Sequence, residues 1–409
     1  MRLIKLIFTV MLLLAAGLAW GQTDSLRLQY AVHGKVSDAR SGKGLPAVNI
    51  RVPGKNFATV SNAEGNFVIR SDQPVRELVF SYVGYKTLRV AVEGEGLKVR
   101  MQPDKYLLDA SSIVSGDPKE IVESAILAVE YNYPLHPELL RSFYRETLQK
   151  RSRYISVSEA VARLWKSAYK WPVGADKAAL DKSRIIMSQR KRDTLSVKLA
   201  GGPALAVTAD PVKNTDMLFY DVDLGLYRFE MDQPEYIADR LQFVIHFSPF
   251  GRADYPLYCG TLYIDRETLA FTRIEASLDM SDPEKVTRQL LLHKPLGLRF
   301  TPREVGFTVS YKPGADGRYR MEYLRSVIRF DCDWKKRMFA TGYTLVNETV
   351  VTDLVDPPVP IRHQEQFRPT DALSDKAQEF LDPAFWEGYN IIAPTESLEH
   401  AVGRLRKSL

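Results

Sequence analysis

Two pairs of carboxylates stand at the spacing by which a strand puts both groups on one side. Asp331 and Asp333 alternate with Ile328, Phe330, Cys332 and Trp334, and Asp221 and Asp223 do the same if that stretch is extended. Such a pair can hold a hard cation or divide acid and base roles, yet without a third ligand a solvated strand face explains it as well. The six histidines, at 33, 136, 246, 293, 363 and 400, lack the His-x-x-Glu spacing with a later histidine that a zinc peptidase requires. His136 with Glu138 and His363 with Glu365 are only two apart, and on a helix such residues point to different sides. Gly42-Lys43-Gly44-Leu45-Pro46-Ala47 fits a loose dinucleotide pattern but lacks the strand before it and the helix after it, so it reads as a turn. Neither a phosphate-binding Gly-Lys-Ser/Thr loop nor a Gly-x-Ser-x-Gly elbow occurs. No cofactor is therefore expected, and a hydrolytic site would have to be assembled from scattered groups, with Asp331, Asp333, His293 and His363 as the candidates.

Aromatic residues offer a different chemistry. The chain has 20 Tyr, 18 Phe and 5 Trp, enough to ask whether a curved sheet uses some of them to bind an apolar compound or a sugar. Tyr319, Met321, Tyr323 and Trp334 are the candidate ligand face, with plain core packing as the alternative. Cys259 and Cys332 are the only cysteines, and export would allow them to pair; two buried free thiols is the other reading.

The elements that must position these groups begin with an export signal. Arg2 and Lys5 precede an apolar run from Leu6 to Leu18, and Ala19 and Gly21 suit cleavage before Gln22. That run is short for a membrane span, and no cysteine stands there to carry lipid. Removing 1–21 takes away two basic residues and no acidic one, so the net charge falls from +6 to +4. A mild, dispersed excess, with short clusters such as Arg190-Lys191-Arg192, argues against nucleic acid as a partner.

From about Tyr30 to Gln102 short alternating strands are cut by turns, with Val48, Ile50 and Val52 on one face and Phe67 and Ile69 on another. About seven such strands predict a β-sandwich. Gly65 and Gly84 suit turn positions with unusual backbone angles. Asp117-Pro118-Lys119-Glu120 opens a helix that starts a larger domain at 117–355. There Ile274, Ala276, Leu278 and Met280 alternate with polar residues, which predicts an antiparallel sheet with one covered face. Thr261–Ile264 and Leu269–Ala276 read as a hairpin around 265–268. Asp356-Pro357-Pro358-Val359-Pro360 is a rigid connector, and 356–409 closes with helices near 371–381 and 397–405, the last capped by Thr395. The fold expected is mainly β with flanking helices: a seven-stranded transthyretin-like or immunoglobulin-like sandwich plus a larger antiparallel α+β domain.

Four ordered blocks carry a resemblance: Gly34-Lys35-Val36-Ser37-Asp38, Gly44-Leu45-Pro46-Ala47-Val48-Asn49-Ile50, Asn62-Ala63-Glu64-Gly65-Asn66-Phe67 and Phe80-Ser81-Tyr82-Val83-Gly84-Tyr85. The region resembles the carboxypeptidase regulatory-like (transthyretin-like) domain common in exported Bacteroidetes proteins; Lys55-Asn56 departs from the family at one turn. The resemblance implies an accessory, non-catalytic module found beside unrelated partners. Further blocks, Phe143-Tyr144-Arg145-Glu146, Tyr154-Ile155-Ser156 with Glu159-Ala160-Val161, Lys198-Leu199-Ala200-Gly201-Gly202-Pro203, Leu262-Tyr263-Ile264-Asp265 and Phe385-Trp386-Glu387-Gly388-Tyr389-Asn390, are similar to the uncharacterised C-terminal region of such proteins. They imply no activity.

The expectation is an exported envelope protein of the periplasm or the outer-membrane periphery, working by binding an unknown envelope ligand or protein. An envelope hydrolase with a scattered site is the alternative. Peripheral membrane association stays open, whereas an outer-membrane barrel fits less well because the chain closes on an amphipathic helix.

Overall fold

The structure is a computed structural model. It describes residues 30–407 apart from 56, 95, 105–115, 172, 191–192, 194–196, 200–201, 215–216, 219–223, 294, 335–339, 369–370, 372, 374–377, 380–385 and 387–388. The expected leader at 1–21 and the pair Asp221 and Asp223 lie outside the described residues.

The N-terminal sandwich has the seven expected strands: β1 (Tyr30–Asp38), β2 (Asn49–Arg51), β3 (Ala58–Val60), β4 (Asn66–Ser71), β5 (Glu77–Ser81), β6 (Leu88–Ala91) and β7 (Leu97–Met101). They form one sheet in the order β4-β1-β7 and a second in the order β3-β2-β5-β6. Val48, Ile50, Val52, Phe67 and Ile69 are all buried between them, and Phe67 meets Phe80 edge-on at 5.4 Å. Gly65 has φ +84°, and a Cβ there would lie 2.2 Å from the Val36 carbonyl oxygen, so this turn admits glycine alone.

Helix α1 (Pro118–Leu127) starts where expected, with the Asp117 side chain accepting from the Lys119 backbone N–H, and a short α2 (Val129–Asn132) follows. The long strands come next: β8 (Glu138–Lys150), β9 (Arg153–Lys166) and β10 (Lys177–Met187), then β11 (Lys198–Leu199) and helix α3 (Leu205–Thr208). Strands β12 (Tyr227–Met231), β13 (Glu235–Ile237), β14 (Arg240–Pro249), β15 (Tyr258–Asp265) and β16 (Phe271–Leu278) precede α4 (Pro283–Leu290) and β17 (Leu291–His293). The chain continues through β18 (Leu298–Pro313), β19 (Tyr319–Trp334), β20 (Thr341–Val355), β21 (Gln366–Phe367), β22 (Gln378–Glu379) and α5 (Glu396–Arg406), with Thr395 capping α5 as expected.

Thirteen strands make one sheet along the path β12-β14-β15-β16-β18-β19-β20-β8-β9-β10-β21, with β13 on β14 and β22 on β10. Pairing along that path is antiparallel throughout. The sheet curls. Tyr311 on β18 and Lys166 on β9 are separated by three strands, yet both reach the carboxylate of Asp210, at 2.6 and 2.7 Å. Val122 and Ala125 of α1, Tyr133 and the stretch around Ala206 to Leu218 fill the hollow, packing against apolar residues from β8 to β10 and β14 to β19.

Most of the expected helix at 371–381 lies outside the described residues; within that stretch Gln378 and Glu379 add a short parallel strand to β10, whose edge would otherwise leave backbone groups unpaired. Cys259 and Cys332 are both free. They sit on β15 and β19 with β16 and β18 between, three inter-strand spacings or about 14 Å across the sheet and offset along it, since Cys259 stands in line with Val327 and not Cys332, whereas a disulfide needs Cα atoms within about 7 Å. Unfolded protein should therefore yield two reactive thiols per chain without reductant. In the folded chain Cys332 should react slowly, because burial pushes its thiol up to about 11. Thiol titration in and out of denaturant checks both statements, and a titre of zero would overturn the first.

Candidate functional site

Several strands of the sandwich are buried on both faces. In β5, Leu78 and Phe80 belong to the sandwich core, but Val79 between them is buried as well, and so are Val60 of β3 and Val68 of β4. Those outward residues are covered by the larger domain. Val60 and Val68 join Phe143, Val161, Tyr323, Val350, Trp386 and Ile391 to Ala393 in one cluster. Polar ties fix the contact at two ends. At one end Thr59 donates to the Ile391 carbonyl, Asn62 to the Pro394 carbonyl, and Asn390 exchanges bonds with the Arg70 backbone. At the other, the Gly84 N–H donates to the Tyr236 carbonyl and the Thr87 N–H to Asp239.

Between the two ends a cavity of about 230 Å³ remains. One wall is the outward face of the sandwich: Asn49 and Arg51 flank the core residue Ile50 on β2, Val79 and Ser81 come from β5, and Thr87 and Arg89 from the β6 side. The opposite wall comes from β18 and β19, with Ser310, Lys312, Glu322 and Tyr323, and the turn at Ala238 and Asp239 closes the rim. Glu322 owes its place to a β-bulge. Tyr311 pairs with Met321 and Ser310 with Tyr323, so Glu322 is the extra residue on β19.

Three buried polar atoms on residues that line this cavity have no hydrogen-bond partner: Asn49 Nδ2, Thr87 Oγ1 and Glu322 Oε1. Glu322 is only 6% exposed. Burial raises its carboxyl above the ordinary 4.5, with the positive charges of Lys312 and Arg51 opposing that rise. Because the folded form takes up a proton the unfolded chain has already released, Glu322 costs stability progressively as pH rises past about 4.5. Glu322→Gln should accordingly stabilise the protein by about 1–3 kcal/mol near neutrality, with the gain shrinking toward pH 4. Urea midpoints measured across pH decide this; a destabilised variant would show that the carboxylate has a partner.

The bulge also divides the proposed ligand face. Before it, Tyr319 and Met321 point into the hollow of the sheet, where Tyr319 stacks near Tyr133. After it the alternation changes phase, so Tyr323 faces the sandwich and donates from its hydroxyl to Glu348 at 2.9 Å. The four residues thus do not form one face, but Tyr319 and Tyr323 both line the cavity, while the side chain of Trp334 lies outside the described residues. The hydrolytic candidates are not brought together either. Asp331 is paired with Arg303 at 2.7 Å on β19, His293 lies on β17 opposite Lys198, and His363 precedes β21, four strands along the sheet from β19. Among the described residues no group of three or more His, Cys, Asp or Glu could hold a metal. Gly42 to Ala47 is a turn, held by the Ser41 N–H on Asp38, as its proline implies.

What the motifs do assemble is an anchor beneath the sandwich. Glu159 accepts from Arg145 at 2.8 Å, from two nitrogens of Arg184 at 2.9 and 2.6 Å, and from the Trp386 indole at 2.9 Å. Arg145 also donates to the Ile392 carbonyl at 2.8 Å. Burial alone would raise the Glu159 carboxyl, but the two guanidiniums outweigh it and hold the group below its ordinary value. Arg145, Glu159 and Trp386, members of three separate sequence blocks, therefore meet at one point.

Residues 32–113 match the family described as the CarboxypepD_reg-like domain. No curated protein matches the chain. Among solved structures, a DUF1329 family protein from Desulfovibrio piger is similar over 61% of this chain and 99% of its own, at 10% identity and a TM-score of 0.27.

Proposed function

We propose that this chain is an exported envelope protein, resident in the periplasm or at the outer-membrane periphery, that binds a small ligand without transforming it. The observation that carries the reading is the cavity between sandwich and sheet with its three unpaired polar atoms. A buried polar atom left without a partner costs roughly 1–3 kcal/mol, and a bound molecule is the simplest source of the missing partners. In this reading the CarboxypepD_reg-like domain acts as half of the binding site, not as a detached accessory.

Native mass spectrometry of the mature protein from its own envelope tests the proposal. We expect one molecule of about amino-acid to disaccharide size to co-purify in the wild type, and to be lost from Ser81→Trp, whose added ring occupies the cavity. Bare wild-type protein, with no small compound raising its melting temperature, would overturn the reading. Turnover of a defined substrate would overturn its non-enzymatic part.

A further inference from the structure

We infer that the cavity accepts a small zwitterion, an amino acid or the free end of a short peptide, with its ammonium group on Glu322 and its carboxylate toward Arg51 and Lys312. This rests on the reading that the cavity is a binding site, and adds the chemistry of the ligand.

The charges at the cavity sort into those already matched and those that are not. Arg89 is paired with Glu77, Arg240 with Asp265 and Arg273 with Glu275. Among the described residues Arg51, Lys312 and Glu322 form no ion pair, although all three line the space. The unmatched set is thus the buried carboxylate of Glu322, the cations Arg51 and Lys312, whose charges act on it without an ion pair, and the exposed carboxylate of Asp239 at the rim, which accepts from the Thr87 N–H. A neutral hydroxyl could donate to Glu322 Oε1, but it would leave the desolvated carboxylate offset only by Lys312 and Arg51, neither of which forms an ion pair with it. An ammonium group supplies both the donor and the charge. The half-buried Lys312 and the exposed Arg51 can attract an anion, and Asn49 Nδ2 offers a donor to the same group. A carboxylate on the same small molecule meets both demands.

Size and lining agree. An apolar cavity of about 150 Å³ accepts benzene, so one of about 230 Å³ has room for an amino acid of middle size. Val79 and Val83 on the sandwich wall offer apolar contact for a side chain. The position of Glu322 also fits a built site, since an extra residue near the start of β19 aims a carboxylate where strict alternation would not.

Calorimetry on the mature full-length protein tests this with four probes: leucine, its deaminated acid 4-methylpentanoate, leucinamide and glucose, with leucyl-alanine to separate amino acid from peptide. Leucine or leucyl-alanine should bind, and removing either charge from the ligand should weaken binding about 10- to 100-fold, the range of one charge-assisted bond. Glu322→Gln should abolish the preference for leucine over 4-methylpentanoate, and Arg51→Ala with Lys312→Ala the preference for leucine over leucinamide. Because the glutamine variant is expected to be more stable than the wild type, its loss of binding cannot come from unfolding. Binding of glucose but not of leucine would overturn the zwitterion while leaving the cavity a binding site. Equal binding of leucine and its deaminated acid would overturn the role of Glu322. Silence from all five probes would overturn the zwitterion, and if the native envelope protein were also bare, the binding reading would fall with it.

Discussion

Glu159→Ala should lower the free energy of unfolding by about 3–5 kcal/mol, the range seen when one partner is removed from a buried ion pair. The side chain is 3% exposed and is the shared acceptor for Arg145, Arg184 and the Trp386 indole. Its loss strips the shared counter-charge from two guanidiniums in a largely desolvated space. The damage should be directional, because Trp386 and Ile392 belong to the segment on which the sandwich rests. Limited proteolysis should therefore cut near 380–395 before it cuts the sheet. Removing Arg145 as well should recover part of the loss, a coupling that a double-mutant cycle reads directly. Urea unfolding at pH 7 gives the magnitude; a change below about 1 kcal/mol would mean that water reaches the cluster. The carboxyl is held below its usual 4.5, so its contribution is complete above that value and is lost as pH falls through the lower, folded one.

A second effect of similar size is expected in the hollow of the sheet. Asp210 is fully buried and takes bonds from Lys166 at 2.7 Å, Tyr169 at 2.9 Å and Tyr311 at 2.6 Å. Beside it Lys213 donates to Asp176 at 2.6 Å and to the Ser167 carbonyl. Asp210→Ala leaves the buried Lys166 ammonium with only Asp176, 3.4 Å away, and leaves two hydroxyls unsatisfied, and should cost about 3–5 kcal/mol. Asp210→Asn keeps acceptor geometry for the tyrosines but not the charge, and should fall between. Burial pushes the Asp210 carboxyl up, Lys166 and the three hydrogen bonds pull it further down, and the balance lies below 3.8. The difference between wild type and the alanine variant should thus hold steady from pH 7 to about 4.5 and narrow only below 3.8. Thermal or urea unfolding at several pH values checks this. A gap that closes already at pH 6 would assign the effect to another group.

Much of this architecture is written locally. The sandwich is legible because Ile50, Phe67 and Ile69 repeat at period two between turns that demand glycine, and the hairpin around Asp265 because its two runs are short and adjacent. Helix α1 announces itself through Asp117 and Pro118. The cavity is not legible in the same way, because its walls come from residues near 50, 80, 240 and 320 that meet only after folding. A signal was nevertheless present. Val79 stands between Leu78 and Phe80, and Val60 and Val68 also break the polar outer face that a free sandwich would show. Of the aromatic candidates Tyr319 and Tyr323 do line the cavity, whereas Met321 does not: period-two counting assumes an unbroken strand, and the inserted Glu322 shifts its phase.

The strand order also dictates when the molecule can finish folding. Strands β8 and β9 are made early, yet the neighbour of β8 is β20, with Lys150 opposite Tyr343, and the sandwich rests on Trp386 to Ala393. Everything from β12 to β19 must be in place before β20 can bridge the two halves. Pairings this distant in sequence close slowly, because the loop entropy is spent before the contacts that offset it form. A chain emerging from its N-terminus would hold β8 with an unsatisfied edge until nearly its last residues arrive, and in that interval it is exposed to wrong pairing with other chains. Late, all-at-once acquisition of protease resistance is what such a wiring imposes on the molecule.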